Sequence, residues 1–468
     1  MREPGHSISV SSPVATDQGE TVSIYVDYDH PLLKLKRALP WEALFEVMTR
    51  RWAAAGKNVD GGPGLPWEVS LYGPLMVLML VKNFNSRHME AYVAENAVAR
   101  VFISRQDDPT PQIRDHSNIA RAYAALGKEG LDEVNALIIH VAKRCGFADP
   151  RILSADTTAQ ELPIGYPNEP GILRGLAQRC LRALENLKKK GVQEVATASD
   201  QARAVIRSVK EHHLFAKGQE EKQQLLTRII AETEPLLHHT RHVVDCLRPA
   251  TARVKHRAIT TLTSMQDVAT RLIPQMIHWM TTGVVAKGKI LHVGLPQARA
   301  IVRDKPGKRV EFGLQDLLNR IGGGYLFGTL VLSAPDESKM PWLALAGYRA
   351  IFGPQATPEL CVYDRGGYAK ATLKKLAKEG VKHIGIQPKG KGGWLVAEAV
   401  RQTIRSERGK TEGIIGTLKT DTYGFNKPKE RQWQTLQMAG PRSILSFNLN
   451  QLMRDLVNSE RLWQETPC

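Results

Sequence analysis

The spacing of apolar residues predicts a helical region in the first third of the chain. Between Trp41 and Ala54, apolar side chains recur at intervals of three and four: Leu44, Phe45, Met48 and Trp52. Such intervals place side chains on one face of an amphipathic helix. Similar patterns predict helices at 73–83, 86–101 and 109–127, so residues 30–150 should form an all-helical N-terminal domain. Residues 1–29 have few large apolar side chains and predict a loose leader with one strand at 23–26.

The pattern becomes strand-like at residues 151–158 (RILSADTT), where apolar side chains lead into an aspartate and two β-branched threonines. We predict a strand there that ends near Pro163. From about Gly171 to about Gly283 the spacing is helical again. Beyond Lys287 we predict strands at 289–292, 309–317, 325–332, 360–363 and 383–387, alternating with helices at 340–352, 369–379 and 395–401. The strands at 309–317 and 325–332 should form a hairpin with a long loop, LNRIGGG.

The composition narrows the class of partner. The chain has 64 Lys and Arg against 47 Asp and Glu, a formal net charge of +17. This excess favours a polyanionic partner, most simply nucleic acid, although ribosomal or membrane-surface association would produce the same charge. The longest apolar run, Leu75–Val81, is far shorter than the roughly 20 residues that span a bilayer. The five cysteines form no CxxC pair and the N-terminus has no signal-peptide apolar region. These features predict a soluble cytoplasmic protein without membrane contact, and a nucleic-acid partner would make it nucleoid-associated.

One stretch, residues 405–426 (RSERGKTEGIIGTLKTDTYGFN), combines a charged helix face with an apolar one. An ideal helix drifts only about 20° per heptad, so four charged side chains project together: Arg405, Arg408, Glu412 and Lys419. The apolar side consists of Ile414, Ile415 and Leu418. A carboxylate among cations suits a divalent metal beside bound phosphates. The alternative is a solvated charged face beside a core stripe.

Two other patterns have more than one interpretation. Residues 109–127 contain short helices, polar turns and basic side chains, which fits either a helix-turn-helix-like DNA-binding module or a packing domain. His238, His242 and Cys246 follow at i, i+4 intervals. A solvated or DNA-facing helix is favoured over a metal site there, because no partner motif supplies the remaining ligands. The glycine-rich segments 322–324 and 390–393 match no nucleotide fingerprint, so no cofactor loop is expected.

Several segments together resemble the DDE transposases of bacterial insertion sequences, and the resemblance covers most of the chain. DHPLLKLKRALPWEAL and IRDHSNIARAYAALG resemble the helical domain that precedes the catalytic core of these enzymes. ADTTAQELPIGYPNEPGILR resembles the segment around their first aspartate, here Asp156. YDRGGY and RGKTEGIIGTLKTDTYGFNK resemble the segments around their second aspartate and their glutamate, here Asp364 and Glu412. A subgroup carries the signature Tyr-x2-Arg-x3-Glu-x6-Lys, which Arg408, Glu412 and Lys419 match while Arg405 replaces the tyrosine.

The resemblance implies an α/β fold, with an RNase H-like mixed-sheet catalytic domain formed by residues 151–172 and 284–468. A helical insertion, residues 173–283, would follow the first catalytic strand. This position departs from the family, because large insertions in better-known relatives more often precede the glutamate helix. The expected activity is metal-dependent DNA strand cleavage at element ends and strand transfer into target DNA. The alternatives are an RNase H-like nuclease or resolvase without strand transfer, and a catalytically silent transposase-derived DNA-binding protein.

The resemblance also assigns roles to residues. Asp156, Asp364 and Glu412 are expected to be catalytic and to hold two Mg²⁺ ions, with Mn²⁺ as a substitute. Five cations are expected to contact DNA: Arg405, Arg408, Lys419, Lys410 and Arg365. The partners would be double-stranded DNA, at terminal inverted repeats and at the target, and further copies of the chain in a homo-oligomeric synaptic complex. Basic residues of the insertion either line the DNA path or are merely solvated: Lys188, Lys189, Lys190, Arg241, Arg253, Lys255 and Arg257.

Overall fold

The computed structural model describes residues 7–12, 22–59, 68–104, 113, 115–247, 253–305, 308–332, 336–388, 396–430 and 432–459. The protein is a mixed α/β protein whose chain forms two compact units. The first, which we call the sheet unit, comprises Met1–Gln160 and Gln315–Cys468. The second, which we call the helical unit, comprises Glu161–Leu314. The basic loop predicted at 389–393 and Arg114 lie outside the described residues.

The strands are β1 (Ser7–Ser12), β2 (Val22–Asp27), β3 (Asp149–Glu161), β4 (Arg299–Lys305), β5 (Lys308–Gly322), β6 (Leu326–Val331), β7 (Leu360–Tyr363) and β8 (His383–Ile386). The helices are α1 (Pro31–Ala38), α2 (Trp41–Ala54), α3 (Val69–Lys82), α4 (Ser86–Glu95), α5 (Ala97–Ile103), α6 (His116–Arg144), α7 (Glu169–Lys188), α8 (Ala196–Phe215), α9 (Gln219–Leu247), α10 (Arg253–Thr282), α11 (Met340–Phe352), α12 (Lys370–Lys378), α13 (Glu398–Leu418), α14 (Trp433–Leu436) and α15 (Ala439–Asn458).

Local sequence signals account for many of these boundaries. The predicted bounds of α2, α11 and β7 agree with the structure. The helix predicted at 86–101 is instead two helices, because Asn96 has an extended backbone and its side chain accepts a hydrogen bond from the amide of Ala99. Asn96 therefore ends α4 and caps α5. Strand β1, which pairs antiparallel with β2, was not predicted.

The large sheet has the order β4-β5-β3-β7-β8, and β6 pairs with β5. Both β4 and β6 run antiparallel to β5, whereas β3, β7 and β8 run parallel to one another. The end of β5 lies beside the start of β3, where Gly322 packs against Asp149. At the other end, the amide of Leu162 donates to the carbonyl of Phe312 over 2.9 Å, so β3 and β5 are antiparallel.

Two strand predictions are wrong. The segment 289–292 is not a strand; the strand that pairs with the first half of β5 is β4. The hairpin loop is also shorter than predicted, because β5 continues through LNRIG and pairs with β6 up to Arg320. Gly323 and Gly324 make the turn with φ of +84° and +96°, which glycine adopts without strain. A side chain at Gly323 would also lie only 1.8 Å from the carbonyl oxygen of Phe147.

The sheet unit has one principal core, which the N-terminal helices share with one face of the sheet. Trp52 and Phe102, from the helices, belong to the same buried cluster as Leu153 and Tyr363, from the strands. The helical unit has its own core, formed by α7, α8, α9 and α10. The predicted helical region is confirmed, with Asn168 capping the start of α7 and Gly283 (φ +70°) following the end of α10.

Candidate active site

Asp156 lies in β3, and Asp364 directly follows β7, the parallel neighbour of β3. Their strands, β3 and β7, pair with Ser154 opposite Val362. Asp364 directly follows β7 with an extended backbone (φ −72°, ψ 176°), and each aspartate lies two residues after a member of this pair. Adjacent strands are about 4.8 Å apart. The structure therefore brings these two predicted residues together, both half-buried.

Helix α13 packs on the face of the sheet to which both aspartates belong. Thr411 donates a hydrogen bond of 2.7 Å to the Ser154 hydroxyl, and Ile404 packs against Val362. Side chains two residues apart on a strand share a face, so Asp156 follows Ser154 and Asp364 follows Val362 onto this face. The helix that carries Glu412 is thus fixed beside the two aspartates.

A buried ion pair anchors α13 to β5. Glu407 and Arg320 are each only 4% exposed and their side chains form an ion pair. Burial by itself would raise the pKa of Glu407, but hydrogen bonds and charges from Lys410 and Arg320 outweigh it and lower the pKa. Lys410, a predicted DNA contact, donates to Glu407 over 2.6 Å. This pair could not be predicted from the sequence, because Arg320 lies in LNRIGGG, the predicted hairpin loop.

Glu412 is exposed, and its carboxylate is paired within its own helix. The Nε atom of Arg408 lies 3.1 Å from Glu412 Oε1, and the two side chains are 46% and 56% exposed. Within the part of the chain that the structure describes, no group of three or more His, Cys, Asp or Glu side chains is arranged to hold a metal ion. The carboxylates offer the hard oxygen ligands that Mg²⁺ prefers. The residue types therefore fit the ion, and two of the three predicted ligands adjoin, but Glu412 does not complete a three-carboxylate group with them.

Glu337 is a further carboxylate at this end of the sheet. A methyl group at Gly366 would lie 2.3 Å from the Glu337 carboxyl carbon, and the amide of Gly366 donates to Asp364 over 2.9 Å. Burial raises the pKa of Tyr363, and the charges of Asp364, Glu337 and Asp156 raise it further. All three carboxylates are therefore near enough to the Tyr363 hydroxyl to interact with it electrostatically. The sequence around Glu337 indicates only the start of a helix, where acidic residues are common.

Asp316 was also missed, and it lies on the same face of the sheet as α13. It is two residues before Leu318, which packs against Leu418 of α13. Asp316 is 3% exposed, and burial raises the pKa of its carboxyl to about 7, while the charges of Lys128 and Lys419 lower it. Lys419, a predicted DNA contact, therefore interacts electrostatically with the buried carboxyl of Asp316.

The remaining predicted contacts are solvent-facing. Arg405 is 69% exposed, with Glu398 at 3.9 Å, and Arg365 is exposed with one guanidinium nitrogen 3.4 Å from the Pro388 carbonyl. Their DNA contacts stay predictions. Residues 116–127 of the helix-turn-helix-like segment belong to α6, which kinks at Gly127 and buries Ile119 and Ala122 in the core, whereas residues 109–112 lie outside the described residues. Along α9, Cys246 Sγ lies 3.7 Å from His242 Nε2.

No helix within the described ranges is long and apolar enough to cross a membrane. Comparison of the chain with protein-family models, with curated proteins and with solved structures found no significant match. The interpretation of the site consequently depends on its own geometry and on the sequence motifs.

Proposed function

We propose that this protein is a DDE transposase that cleaves DNA at element ends and transfers the cut strands into target DNA. The observation that carries the proposal is the register of β3 and β7, in which Ser154 lies opposite Val362, two residues before Asp156 and Asp364, with the helix of Glu412 bonded to Ser154. The element order also supports an RNase H-like core. After the four helices of the helical unit are set aside, it runs from a strand with an aspartate through the strands β4, β5 and β6, a helix, a strand followed by an aspartate, a helix and a strand to a helix with a glutamate.

The proposed roles follow from the chemistry of the side chains. Asp156, Asp364 and Glu412 would hold two divalent ions, Mg²⁺ or Mn²⁺. When bound, such ions activate the attacking oxygen and stabilise the leaving oxygen of a phosphodiester. Arg408 offers a planar fork of donors that suits two phosphate oxygens. Since Arg408 also binds Glu412, a phosphate that takes over the guanidinium would leave Glu412 available as the third ligand.

The magnitude of the Arg408–Glu412 pair makes this exchange feasible. Exposed i, i+4 ion pairs contribute only about 0.3–0.5 kcal/mol. Breaking this ion pair therefore costs a free energy that would weaken the binding of a ligand by only about twofold. One phosphate contact or one metal–carboxylate contact is enough to offset it. The pairing of Glu412 is thus compatible with a catalytic role.

The partners proposed are double-stranded DNA and further copies of the chain in a synaptic complex. The net charge of +17 supports a polyanionic partner. A second candidate function is a catalytically silent DNA-binding protein. It is favoured by the fact that the described residues contain no three-carboxylate group ready for a metal.

A cleavage assay separates the two. The substrate is DNA that carries both flanks of the gene, with Mg²⁺ or Mn²⁺, and the products are resolved as nicked, double-cut and strand-transfer species. Parent protein should yield all three, whereas Glu412→Gln and Asp156→Asn should bind the ends and yield none. Glu398→Gln, an exposed carboxylate on the same helix, is the matched control and should cleave like the parent. Cleavage that survives in Glu412→Gln, or a parent that binds the ends without cutting them, would refute the proposal.

A further inference from the structure

A cavity of about 740 Å³ lies in the helical unit between α7 and α10, and basic side chains line it from both helices. Helix α7 contributes Arg179 and Arg182, and α10 contributes His256 and Arg257. The polar remainder consists of Asn186 and Thr261. The lining within the described residues contains no carboxylate and no Phe, Tyr or Trp. It is therefore suited to an anion and provides no aromatic platform of that kind for stacking a base.

The helical spacing explains why these side chains converge. Arg179, Arg182 and Asn186 follow one another at intervals of three and four, and Arg257 and Thr261 are four residues apart, so each set occupies one face of its helix. The two helices pack against each other. Small residues, Ala183 and Ala258, are buried at the contact and leave room between the longer side chains.

Some arginines elsewhere in the helical unit form ion pairs, whereas others, such as the exposed Arg207, form none within the described residues. Arg203 pairs with Asp200 and Arg228 with Glu232, at 3.0 and 2.9 Å. Within the described ranges, by contrast, no carboxylate forms an ion pair with the three arginines of the cavity: Arg179, Arg182 and Arg257. Gathering cations without counter-charges is unfavourable unless an anion joins them. The arrangement thus suits an external anionic group.

Arg179 is the least solvated of the three. Burial lowers the pKa of its guanidinium, and the neighbouring positive charge of Arg182 lowers it further. Its guanidinium occupies the space beside Gly294, where a side-chain methyl group would lie 1.8 Å from Nη2. Glycine at this position therefore allows the buried cation to adopt its present orientation.

We infer that this cavity binds consecutive phosphates of a DNA backbone. The inference rests on the proposed function, because it takes DNA as the partner. Two helices supply cations from both sides, and an amide and a hydroxyl add hydrogen bonds, which is the donor set that binds phosphate and sugar without reading sequence. Exposed Lys188 ends the same helix, exposed Lys189 and Lys190 lie in the turn after it, and the three continue the positive charge.

Charge reversal with a matched control tests the inference. The test variant carries Arg182→Glu and Arg257→Glu. The control carries Arg207→Glu and Lys210→Glu, which are exposed cations of α8 outside the cavity and change the net charge by the same amount. Binding of a fluorescent duplex is followed by anisotropy between low and moderate salt. Each lost phosphate contact should reduce the slope of log K against log salt by about one unit. We expect the test variant to lose about two units of slope and the control to lose less than half a unit.

Every outcome decides the inference. Equal losses in the two variants, or an unchanged slope in the test variant, overturn it. A third result would also overturn the inference: pyrophosphate binds the parent at micromolar concentration, while both variants bind the duplex normally. The ligand of the cavity would then be a small phosphate compound and not DNA. Gly294→Ala, which displaces the Arg179 guanidinium without changing charge, should weaken duplex binding at an unchanged urea midpoint.

The proposed function fails separately. If the parent binds the duplex without cutting it, catalysis is refuted while the comparison of the two charge variants still judges the cavity. If the parent cuts the ends and the test variant binds them normally, the cavity inference alone is refuted. A parent that does not bind DNA refutes both.

Discussion

The buried Glu407–Arg320 pair provides a quantitative test of how α13 is held. Replacing Arg320 by Met leaves the Glu407 carboxylate buried with Lys410 as its remaining cation. Removing one partner of a buried pair costs about 3–5 kcal/mol. Lys410 is 54% exposed, so its ion pair offsets no more than about 1 kcal/mol of that cost. We therefore expect Arg320→Met to lower the free energy of unfolding of the sheet unit by about 2–4 kcal/mol.

The assay is urea denaturation with hydrogen exchange read at the amides of α13 and β5. The double variant Arg320→Met with Glu407→Met removes both charges and should recover most of the loss, since a buried pair is often replaceable by apolar residues. Lys382→Met, which breaks an exposed pair with Glu359, is the control and should cost less than about 1 kcal/mol. A loss below about 1 kcal/mol in Arg320→Met, or no recovery in the double variant, would refute the reasoning.

The pH dependence of the same pair has a defined sign. The pKa of Glu407 is lower in the folded state than its usual 4.5, so folding stabilises the ionised carboxylate relative to the protonated form. The contribution of ionised Glu407 to the free energy of unfolding is complete above about pH 4.5, and it is lost as the pH falls through the folded-state pKa. In Glu407→Gln that acid-side loss should be smaller than in the parent, which urea midpoints at pH 3 to 6 would measure.

Three further predictions concern the surroundings of the site. Asp316→Asn should stabilise the sheet unit above about pH 7. The raised pKa of Asp316 makes the parent lose stability as the pH rises from about 4 to about 7, and urea midpoints at pH 5 and 8 check this. Arg408→Ala should raise Mn²⁺ affinity about twofold without DNA by releasing Glu412, and electron paramagnetic resonance titration that finds lower affinity would contradict it. Arg405→Ala should weaken end binding and flatten its salt slope by about one unit, whereas Arg405→Tyr should still cleave; an unchanged slope would place Arg405 in solvent only.

Local information in the sequence was sufficient for much of the secondary structure. The spacing of apolar residues is a property of a few neighbouring positions, which is why the predicted bounds of α2, α11 and β7 agree with the structure. The hairpin loop was predicted too long because pairing with β6 is not a local property: Asn319 and Arg320 are polar, and β6 makes them strand residues. Motifs also sufficed to select Asp156 and Asp364 as candidates.

Tertiary structure alone decided how the candidate residues meet. The register of β3 against β7 places Ser154 opposite Val362, two residues before Asp156 and Asp364, and no pattern within either segment specifies that register. The roles of Glu407 and Asp316 depend on burial and on partners from distant segments, Arg320 for one and Lys128 and Lys419 for the other. A carboxyl has the same intrinsic chemistry everywhere in a sequence. Its pKa and its task are set by the solvent it loses and the charges it gains on folding.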